Sequence, residues 1–328
     1  MSIIPSTFKA YEFAKYGDVL KEAKLNTAVA QKPLEPTQVR VKVVSAAINP
    51  LDYKLLMFGA AFLPTAPTVE NPFRMGFDTT GVIAEVGSGN VRGFKVGDAV
   101  YGTPDITAGG SFGEYFAIDA KYLAHKPSNL TFNEAAGVPM AGLTSYQALN
   151  KLGGLEAGQR VLILGGSSAT GQFAIQIAKT AGAEVITTAS PRNTELVETL
   201  GADQVIDYTS EKWGAVLAKH SVDLIYDCGV EPESWATDAQ TVLKQNTGKF
   251  VTIGMSPKPV DSTIGATFHQ LFLHPTTEDL EGLSKLVVAG KVKPTIDSIH
   301  PLENVLDAIK LQMSNRARGK IVIEITSE

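Results

Sequence analysis

Short apolar runs alternate with amphipathic stretches through the middle of the chain, and this pattern predicts parallel strands joined by helices. Val161–Leu164 is a continuous apolar run, as expected for a strand that is buried on both faces of a sheet. Apolar residues then recur at helical spacing from Ala174 to Ala181, and Gly182 is predicted to end that helix. Further strands are predicted at 185–188, 204–207, 222–227 and 249–253, with helices near 194–200, 211–219 and 232–243. Regular alternation of this kind indicates a doubly wound parallel α/β sheet.

The two ends of the chain carry a different pattern. Residues 39–45 form a partly amphipathic run, and glycine-rich turns separate further predicted strands at 79–86, 99–102, 113–118 and 122–125. This spacing predicts a mostly antiparallel barrel or sandwich. Near the C-terminus, helical stripes at 280–287 and 302–309 precede a final strand at 319–325, and Pro301 is expected at the first position of the second helix. We therefore expect a first domain at 1–130, an α/β domain at 131–272, and a tail at 273–328 that returns to the first domain.

A glycine-rich turn joins the first strand of the α/β region to its helix. The sequence from Gly165 reads GGSSATG, in which the first two glycines allow a sharp turn and Gly171 is predicted to open the helix. Free N–H groups and the positive end of the helix dipole favour a pyrophosphate at such a position. Ser168 stands where a third evenly spaced glycine is expected, so the prediction rests on the strand–turn–helix–strand context. That context predicts dinucleotide binding, and the alternative is an ordinary buried turn that binds no ligand.

The end of the second strand indicates which dinucleotide is bound. A free ribose 2′-hydroxyl usually meets an acidic residue there, but the sequence from Thr187 to Thr194 contains none. Ser190 and Arg192 instead offer a hydroxyl and a guanidinium, which suit a 2′-phosphate. This pattern favours NADP(H) over NAD(H), and the alternative is that Arg192 is a solvated residue of the following helix.

Composition excludes several classes of partner. The chain has 328 residues, a net charge of −5 and no basic block, which argues against nucleic acid and anionic membrane as partners. No apolar run is long enough for a membrane span, and the N-terminal sequence lacks a signal-peptide pattern, so we expect a cytoplasmic protein. Cys228 is the single cysteine; it follows an apolar strand and is expected to be a buried structural thiol rather than a nucleophile. The scattered histidines show no metal-binding spacing, so no metal site is predicted.

Several motifs follow one another along nearly the whole chain: INPLDYK (48–54), GFDTTGVIAEVG (76–87), VGDAVYG (96–102), GSFGEYFAID (110–119), AAGVPMAGLTSYQAL (135–149), the unit 159–192, VDLIYDCG (222–229), GKFVTIG (248–254) and RARGKIVIEI (316–325). Together and in this order they resemble the medium-chain dehydrogenase/reductase superfamily, and in particular its zinc-independent, zeta-crystallin-like quinone oxidoreductases and enone reductases. The family fold implies a GroES-like catalytic domain built from both chain ends and a Rossmann domain that binds NADPH between them, with the active site in the cleft.

The departures from the zinc-containing branch of this superfamily concern the metal. Alcohol dehydrogenases of that branch place a cysteine ligand where this chain has Asn49, and Gly-His-Glu where it has Gly76-Phe77-Asp78. Without a Lewis acid to polarise a carbonyl, the acceptor must already be electrophilic, as quinones and α,β-unsaturated carbonyls are. A zinc alcohol dehydrogenase is therefore an alternative that metal analysis tests.

The predicted site residues come partly from the resemblance and partly from the strand ends. The resemblance implies Asn49 at the nicotinamide and Tyr53 or Lys54 near the acceptor oxygen; otherwise Tyr53 packs and Lys54 is solvated. The predicted cofactor-binding residues are Asn49, Thr144, Gly166, Ser167, Ser168, Ala169, Thr170, Gly171, Ser190, Arg192, Tyr208, Gly229, Val230, Gly254, Met255 and Arg318. Tyr208 could equally be a packing residue, and Arg318 a helix cap. Tyr208 and Lys212 also form the YxxxK pair of short-chain dehydrogenases, but they lie too close to the glycine turn for that family.

The sequence therefore predicts an NADPH-dependent reductase that transfers hydride to a hydrophobic quinone or enone. Quinone reduction is the main hypothesis, with enone or 2-alkenal reduction as an alternative. A second class of hypothesis is an NADPH-binding sensor or crystallin-type protein with little catalytic role. The loop 58–73 is expected to roof the site. The family also implies a homodimer, or a dimer of dimers, in which the apolar segment 266–273 pairs across the interface.

Overall fold

The computed structural model describes residues 4–255 and 259–326, which form two compact units. The first unit contains the residues up to Met140, His274–Ser284 and the residues from Thr295 onward; the second contains Ala141–Leu273 and Lys285–Pro294. The predicted boundary after 130 lies ten residues before the observed one, and the boundary after 272 lies one residue before it. Lys285–Pro294, which we predicted to be part of the tail, belongs to the second unit. The divisions after Met140 and Ser284 fall inside helices, where a continuous helical pattern gives no boundary signal.

The described strands and helices are as follows in chain order. The strands are β1 (Thr7–Phe13), β2 (Lys24–Ala30), β3 (Gln38–Ala47), β4 (Phe73–Arg74), β5 (Asp78–Val86), β6 (Ala99–Gly102), β7 (Tyr115–Asp119), β8 (Leu123–His125), β9 (Arg160–Leu164), β10 (Glu184–Ala189), β11 (Gln204–Asp207), β12 (Leu224–Asp227), β13 (Lys249–Thr252), β14 (Thr267–Gln270), β15 (Ile296–Pro301) and β16 (Lys320–Glu324). The α-helices are α1 (Val19–Glu22), α2 (Pro50–Phe58), α3 (Phe132–Ala136), α4 (Pro139–Tyr146), α5 (Ala169–Thr180), α6 (Thr194–Thr199), α7 (Trp213–Val216), α8 (Asp238–Val242), α9 (Thr277–Val288) and α10 (Val305–Met313).

Two mostly antiparallel sheets make up the β-structure of the first unit. The larger has the order β15-β16-β3-β5-β6-β8, with β7 also paired to β3, and the smaller has the order β2-β1-β4. Alternate residues Val39, Val41 and Val43 of β3 are fully buried, as its amphipathic pattern predicts. The strand β16, from the end of the chain, pairs with β3 through Ile323 and Ala46. This pairing brings the residues before Pro50 and those after Gly319 to adjacent positions.

The second unit is built on a parallel sheet with the order β11-β10-β9-β12-β13-β14. The chain starts at β9 in the centre, moves outward to β11, and then returns to continue from β12 on the other side. This is the predicted doubly wound fold, and the reversal of strand order beside β9 is where such sheets bind ligands. The central apolar run is buried on both faces, as predicted, since Val161–Leu164 are all 0% exposed.

Several predicted helix boundaries were wrong. The helix predicted near 211–219 is reduced to α7, because Leu217 already has an extended backbone. The helix predicted near 232–243 is split into a 3₁₀ turn, Pro232–Ala236, and α8, because Thr237 leaves the helical region with φ −126° and ψ −97°. Pro301 ends β15, and a 3₁₀ turn separates it from α10. None of the described helices combines the length and apolarity that crossing a membrane requires.

Candidate active site

The glycine turn of the second unit closes tightly between β9 and α5. Gly165 has a φ of +80°, and a Cβ on it would lie 2.8 Å from the Gly229 Cα. A Cβ on Gly166 would lie 1.9 Å from the Thr187 Oγ1, and one on Gly171 would lie 2.3 Å from the Gly165 carbonyl oxygen. All three positions therefore require glycine, and the turn exposes backbone without side chains at the start of α5.

Ser168 caps α5, so the helix begins two residues earlier than predicted. The Ser168 Oγ accepts a hydrogen bond from the Gly171 N–H at 3.0 Å, which places Ala169 at the first helical position. Gly171 is thus the third residue of the helix rather than its opening residue. Ser167, Ala169 and Thr170 lie around the same helix end, where a pyrophosphate is stabilised by backbone N–H groups. This cradle of glycines and short side chains fits a dinucleotide.

Thr144 is held near this turn by its neighbour. Ser145, on α4, donates a hydrogen bond from its Oγ to the carbonyl oxygen of Thr170 at 2.7 Å. Thr144 is partly buried beside it. Sequence reasoning did not single out Ser145, because a serine within a helix gives no signal of a tertiary contact.

The residues predicted to select the cofactor lie on neighbouring strand ends. Ala189 and Asp207 are paired at the ends of β10 and β11, so Ser190 and Tyr208 follow adjacent strands. Arg192 is exposed in the turn Pro191–Asn193, and Tyr208 is 58% exposed. The exposed side chain of Tyr208 is not packed in a core.

Asp207 is an acidic residue at this edge that the sequence reasoning passed over. Its carboxylate accepts hydrogen bonds from the backbone N–H and hydroxyl of Thr209 and from the hydroxyl of Ser210. The hydrogen bonds from Thr209 lower the pKa of Asp207 below its usual range. The carboxylate is therefore charged and is bonded within its own turn.

The loops after β12 and β13 are joined by a buried carboxylate. Both oxygens of Asp227 accept from the Glu231 N–H, at 3.0 and 2.9 Å, and Oδ2 also accepts from the Thr252 hydroxyl at 2.6 Å. The Thr252 Oγ1 in turn accepts from the Gly254 N–H at 2.8 Å. Burial is the main cause that raises the pKa of Asp227, and these donors oppose it.

Asp227 and Thr252 were missed by the sequence reasoning, although each is the last residue of an apolar strand. They place the predicted cofactor residues Gly229, Val230, Gly254 and Met255 at one edge of the sheet. Val230 has a φ of +65°, which is strained for a β-branched residue, so the loop after β12 is held in an unusual conformation.

Cys228 is a structural thiol, as predicted. It is buried, and its Sγ lies 3.0 Å from the carbonyl oxygen of Leu164. Burial raises its pKa to about 12, so the reactive thiolate is not formed at neutral pH.

In the first unit, the three predicted reacting residues lie at the start of α2. Asn49 precedes the helix and is 3% exposed, Tyr53 is partly buried, and Lys54 is exposed. Burial raises the pKa of Tyr53, so its phenol keeps its proton at neutral pH and can act as a donor.

Asn49 belongs to a buried polar network that sequence reasoning did not foresee. Its Nδ2 donates to Asp78 Oδ2 at 2.9 Å, and its Oδ1 accepts from Lys320 Nζ at 2.5 Å. Lys320 Nζ also donates to Asp78 Oδ2 at 3.0 Å, and Asp78 Oδ1 accepts from the Met140 N–H at 2.8 Å. Asp52 completes the network, since its Oδ2 accepts from the Asn49 N–H at 2.6 Å.

The donors available at this position do not form a zinc site. Asn49 and the buried Phe77 stand at the ligand positions of the zinc enzymes, and Asp78 is paired with Lys320. Across residues 4–255 and 259–326, His, Cys, Asp and Glu side chains form no cluster of three or more that could hold a metal ion. Arg318 lies just before β16, where its backbone N–H donates to the Asp297 carboxylate at 2.8 Å.

Together, these features define a two-unit nucleotide-dependent oxidoreductase with a β-rich unit and a dinucleotide-type α/β unit. Residues 35–128 match the family model described as alcohol dehydrogenase GroES-like domain, and residues 200–323 match that described as zinc-binding dehydrogenase.

Relatives that match nearly the whole chain identify the family more narrowly. The chain is 37% identical to 2-methylene-furan-3-one reductase of Solanum lycopersicum and 35% identical to the chloroplastic NADPH-dependent alkenal/one oxidoreductase of Arabidopsis thaliana; each match covers 98% of this chain and 80% of the relative. A solved structure, the quinone oxidoreductase from Coxiella burnetii, superposes with a TM-score of 0.81 at 29% identity over 97% of this chain and 99% of that one. The chain belongs to the medium-chain dehydrogenase/reductase superfamily, in its zinc-independent quinone and enone reductase type.

Proposed function

We propose that this protein is an NADPH-dependent reductase that transfers hydride to conjugated carbonyl compounds, either quinones or enones. The observation that carries the proposal is the polar network at the start of α2, where Asn49 stands at a ligand position of the zinc enzymes and bonds to Asp78, which is itself paired with Lys320. The side chains at this position do not make up a set of zinc ligands that could activate a simple carbonyl, so the acceptor must bring its own electrophilic carbon. The names of the relatives, an enone reductase and a quinone oxidoreductase among them, support the same acceptor class.

NADPH is the proposed cofactor in preference to NADH. The ends of β10 and β11 offer the Ser190 hydroxyl, the Arg192 guanidinium and the exposed Tyr208 ring. A guanidinium binds phosphate with charge-assisted hydrogen bonds, whereas a ribose 2′-hydroxyl gains little from it. Asp207 ends β11 rather than β10, the strand whose end carries the ribose-binding acid in NAD-dependent folds, and its carboxylate already accepts from Thr209 and Ser210.

Each unit contributes separate groups to the proposed reaction. A reduced nicotinamide supplies a hydride when it is bound. The glycine turn and the first turn of α5 bind its pyrophosphate, and the loops held by Asp227 present Gly229, Val230, Gly254 and Met255 beside it. In the first unit, Tyr53 and Lys54 donate hydrogen bonds or positive charge to the acceptor oxygen as that oxygen gains negative charge. Asn49 Oδ1 keeps one lone pair beyond the bond from Lys320, and a contact to the carboxamide through it remains a prediction.

The acceptor class is tested by NADPH oxidation with purified protein. We expect turnover of ortho-quinones, 2-alkenals and cyclic enones, with no oxidation of simple alcohols by NADP⁺. Met57, Phe58, Phe62 and Val69 are exposed apolar residues in and after α2, and they favour hydrophobic members of each class. NADPH binding with no turnover of any conjugated acceptor would overturn the proposal in favour of a sensor or crystallin-type role.

A homodimer is part of the proposal. Within residues 4–255 and 259–326, β14 is the last strand of the six-stranded sheet and pairs with β13 alone, so its outer edge is available for a second copy. The segment around it is apolar and includes Phe268, Leu271 and Phe272, the last of which is 54% exposed. Light scattering at micromolar concentration is expected to give at least the dimer mass, and a monomer mass would contradict this assignment.

A cytoplasmic location is likewise a proposal. It rests on the net charge of −5 and on the single cysteine, Cys228, a composition consistent with a reducing compartment. Cell fractionation of the untagged protein tests it, and recovery in an organelle fraction would contradict it.

A further inference from the structure

Lys320 is an unusual residue for its place in the fold. It begins β16, and its side chain is only 3% exposed. Its ammonium contacts the Asn49 Oδ1 at 2.5 Å and the Asp78 Oδ2 at 3.0 Å, and Asp78 itself is 0% exposed. A lysine is almost never buried to this extent unless it is paired.

Stability alone does not account for this ion pair. Removing two charges from water is costly, and replacing a buried pair by well-packed apolar residues is often neutral or stabilising. The best-attested use of such a pair is to fix one arrangement among several that the chain could adopt. The Lys320–Asp78 pair is therefore expected to fix one arrangement of the groups around it.

The pair fixes the side-chain amide of Asn49. The two ends of an amide have nearly the same shape, so its orientation is set by what surrounds them. Here a cation lies at the oxygen, and the Asp78 carboxylate lies 2.9 Å from the nitrogen, which also donates to the Ala47 carbonyl oxygen at 3.3 Å. Turning the amide over would place its NH₂ against the ammonium and its oxygen against the carboxylate.

Fixing Asn49 in turn fixes the start of α2. Asn49 is the residue immediately before the helix, and its backbone N–H donates to Asp52. Tyr53 and Lys54 follow Asp52 directly. Their approach to an acceptor therefore depends on a helix start that is held by residues from β5 and β16.

We propose that Lys320 is a positioning residue of the proposed reductase: acting through Asn49, it holds the first turn of α2 in the orientation that presents Tyr53 and Lys54. This inference rests on the proposed function for its catalytic consequence. Its structural part, the ordering of α2, does not depend on the proposed function. Displacement of a reacting group by about 1 Å costs on the order of 100-fold in rate, so loss of the ammonium should be visible in kcat.

The test compares three variants with a matched control. Lys320→Met leaves Asp78 buried without its partner, and this variant can fail to fold. The combination Lys320→Met with Asp78→Asn removes both charges, whereas Lys320→Arg keeps the positive charge. Lys310→Met is the control, because Lys310 forms an exposed pair with Asp307 on α10 in the same unit. The measurements are kcat and KM for an enone, the NADPH dissociation constant, and hydrogen exchange by mass spectrometry of peptides covering 50–58.

We expect the double variant to lose about 10- to 100-fold in kcat, with KM and the NADPH dissociation constant changed by less than about 3-fold. Exchange in 50–58 should accelerate by about 10-fold or more, while β3 and β5 stay protected. Lys320→Arg, which keeps the positive charge, should retain most of the wild-type kcat. Tyr53→Phe should cost less in the double variant than in the wild type, because the phenol is already misplaced there. Lys310→Met should behave as the wild type in every measurement.

Two results would overturn the proposal. The first is a folded double variant whose kcat and 50–58 exchange both equal those of the wild type. The second is a loss of kcat accompanied by faster hydrogen exchange throughout the first unit. In that case the Lys320–Asp78 pair would stabilise the whole unit rather than position α2. If the wild type reduces no conjugated acceptor, the proposed function fails by itself, and local exchange in 50–58 still decides whether Lys320 orders α2.

Discussion

Asp52 should make the first unit lose stability as the pH rises from about 4 to about 8. Its carboxyl is 2% exposed, and burial is the main cause that raises its pKa to about 8. The nearby Asp78 charge raises it further, whereas Lys320 and the N–H groups of Asn49 and Gly76 lower it. The informative perturbation is Asp52→Asn, which keeps an oxygen to accept from the Asn49 N–H and cannot ionise.

The magnitude follows from proton linkage. In the unfolded chain an aspartate has a pKa of about 3.9. Between that value and about 8, the folded chain therefore holds a proton on Asp52 that the unfolded chain has released. Unfolding is then favoured by rising pH, with a limiting slope of about 1.4 kcal/mol per pH unit from this one group. Below about pH 4 and above about pH 8, both states carry the same charge at Asp52, and its contribution is flat.

The assay is urea unfolding of wild type and Asp52→Asn at pH 5, 6 and 7. Taking the difference between the two proteins cancels the titrating groups that do not interact with Asp52. The variant should gain up to about 2.7 kcal/mol relative to the wild type between pH 5 and pH 7. Both tryptophans, Trp213 and Trp235, lie in the second unit, so far-UV circular dichroism is needed to follow the first.

Asp307→Asn is the control for this experiment, since the Asp307 side chain is 66% exposed in the same unit. Its effect should stay within about 0.5 kcal/mol at every pH. The reasoning would be refuted if the free energy of unfolding changed in parallel with pH in wild type and Asp52→Asn. It would also be refuted if the variant lost stability relative to the wild type as the pH rises.

Four further predictions concern the cofactor, the acceptor and the metal. Arg192→Ala should weaken NADPH binding about 10- to 100-fold and leave NADH nearly unchanged in calorimetric titration, and equal weakening of both would refute its role at the 2′-phosphate. Lys54→Ala should lower kcat about 10- to 100-fold and Tyr53→Phe should lower it less, with a larger loss for enones than for quinones. If kcat is unchanged for every acceptor, Tyr53 and Lys54 are packing residues. Gly166→Ala should lower both the melting temperature read by tryptophan fluorescence and the affinity for NADPH, because its Cβ would lie 1.9 Å from Thr187 Oγ1, and wild-type values would contradict this close packing. The enzyme should keep its activity in chelator and contain no stoichiometric zinc, whereas one zinc per chain whose removal abolishes activity would overturn the mechanism.

The parallel sheet was predictable because its signal is local. The central strands β9 and β12 are short, mostly apolar runs, and the glycine turn stands directly between a strand and a helix. The helix ends were less predictable, since they depend on single backbone conformations. Thr237, for example, breaks a helical pattern that its own residue type does not interrupt.

The network around Asn49 could not be predicted from local pattern. Asn49 lies 29 residues from Asp78 and 271 from Lys320, so no window of the sequence contains all three. One signal was present: Lys320 precedes the apolar run Ile321–Ile323 at the start of a strand, where its charge would need a buried partner. The identity of that partner depends on how β16 pairs with β3, which only the folded chain reveals.

The charges of this network also disfavour a bound metal ion, separately from the identity of the side chains at the ligand positions. Asp78 and Lys320 neutralise each other, and the raised pKa of Asp52 keeps that carboxyl mostly neutral at pH 7. A divalent cation at this position would therefore meet no surplus negative charge. It would also have to displace the ammonium from both the Asn49 oxygen and the Asp78 carboxylate, which are the oxygen donors closest to it. The protein's own cation holds these donors, and this is the physical reason why Asn49 at this position is compatible with metal-free reduction of an acceptor that is already electrophilic.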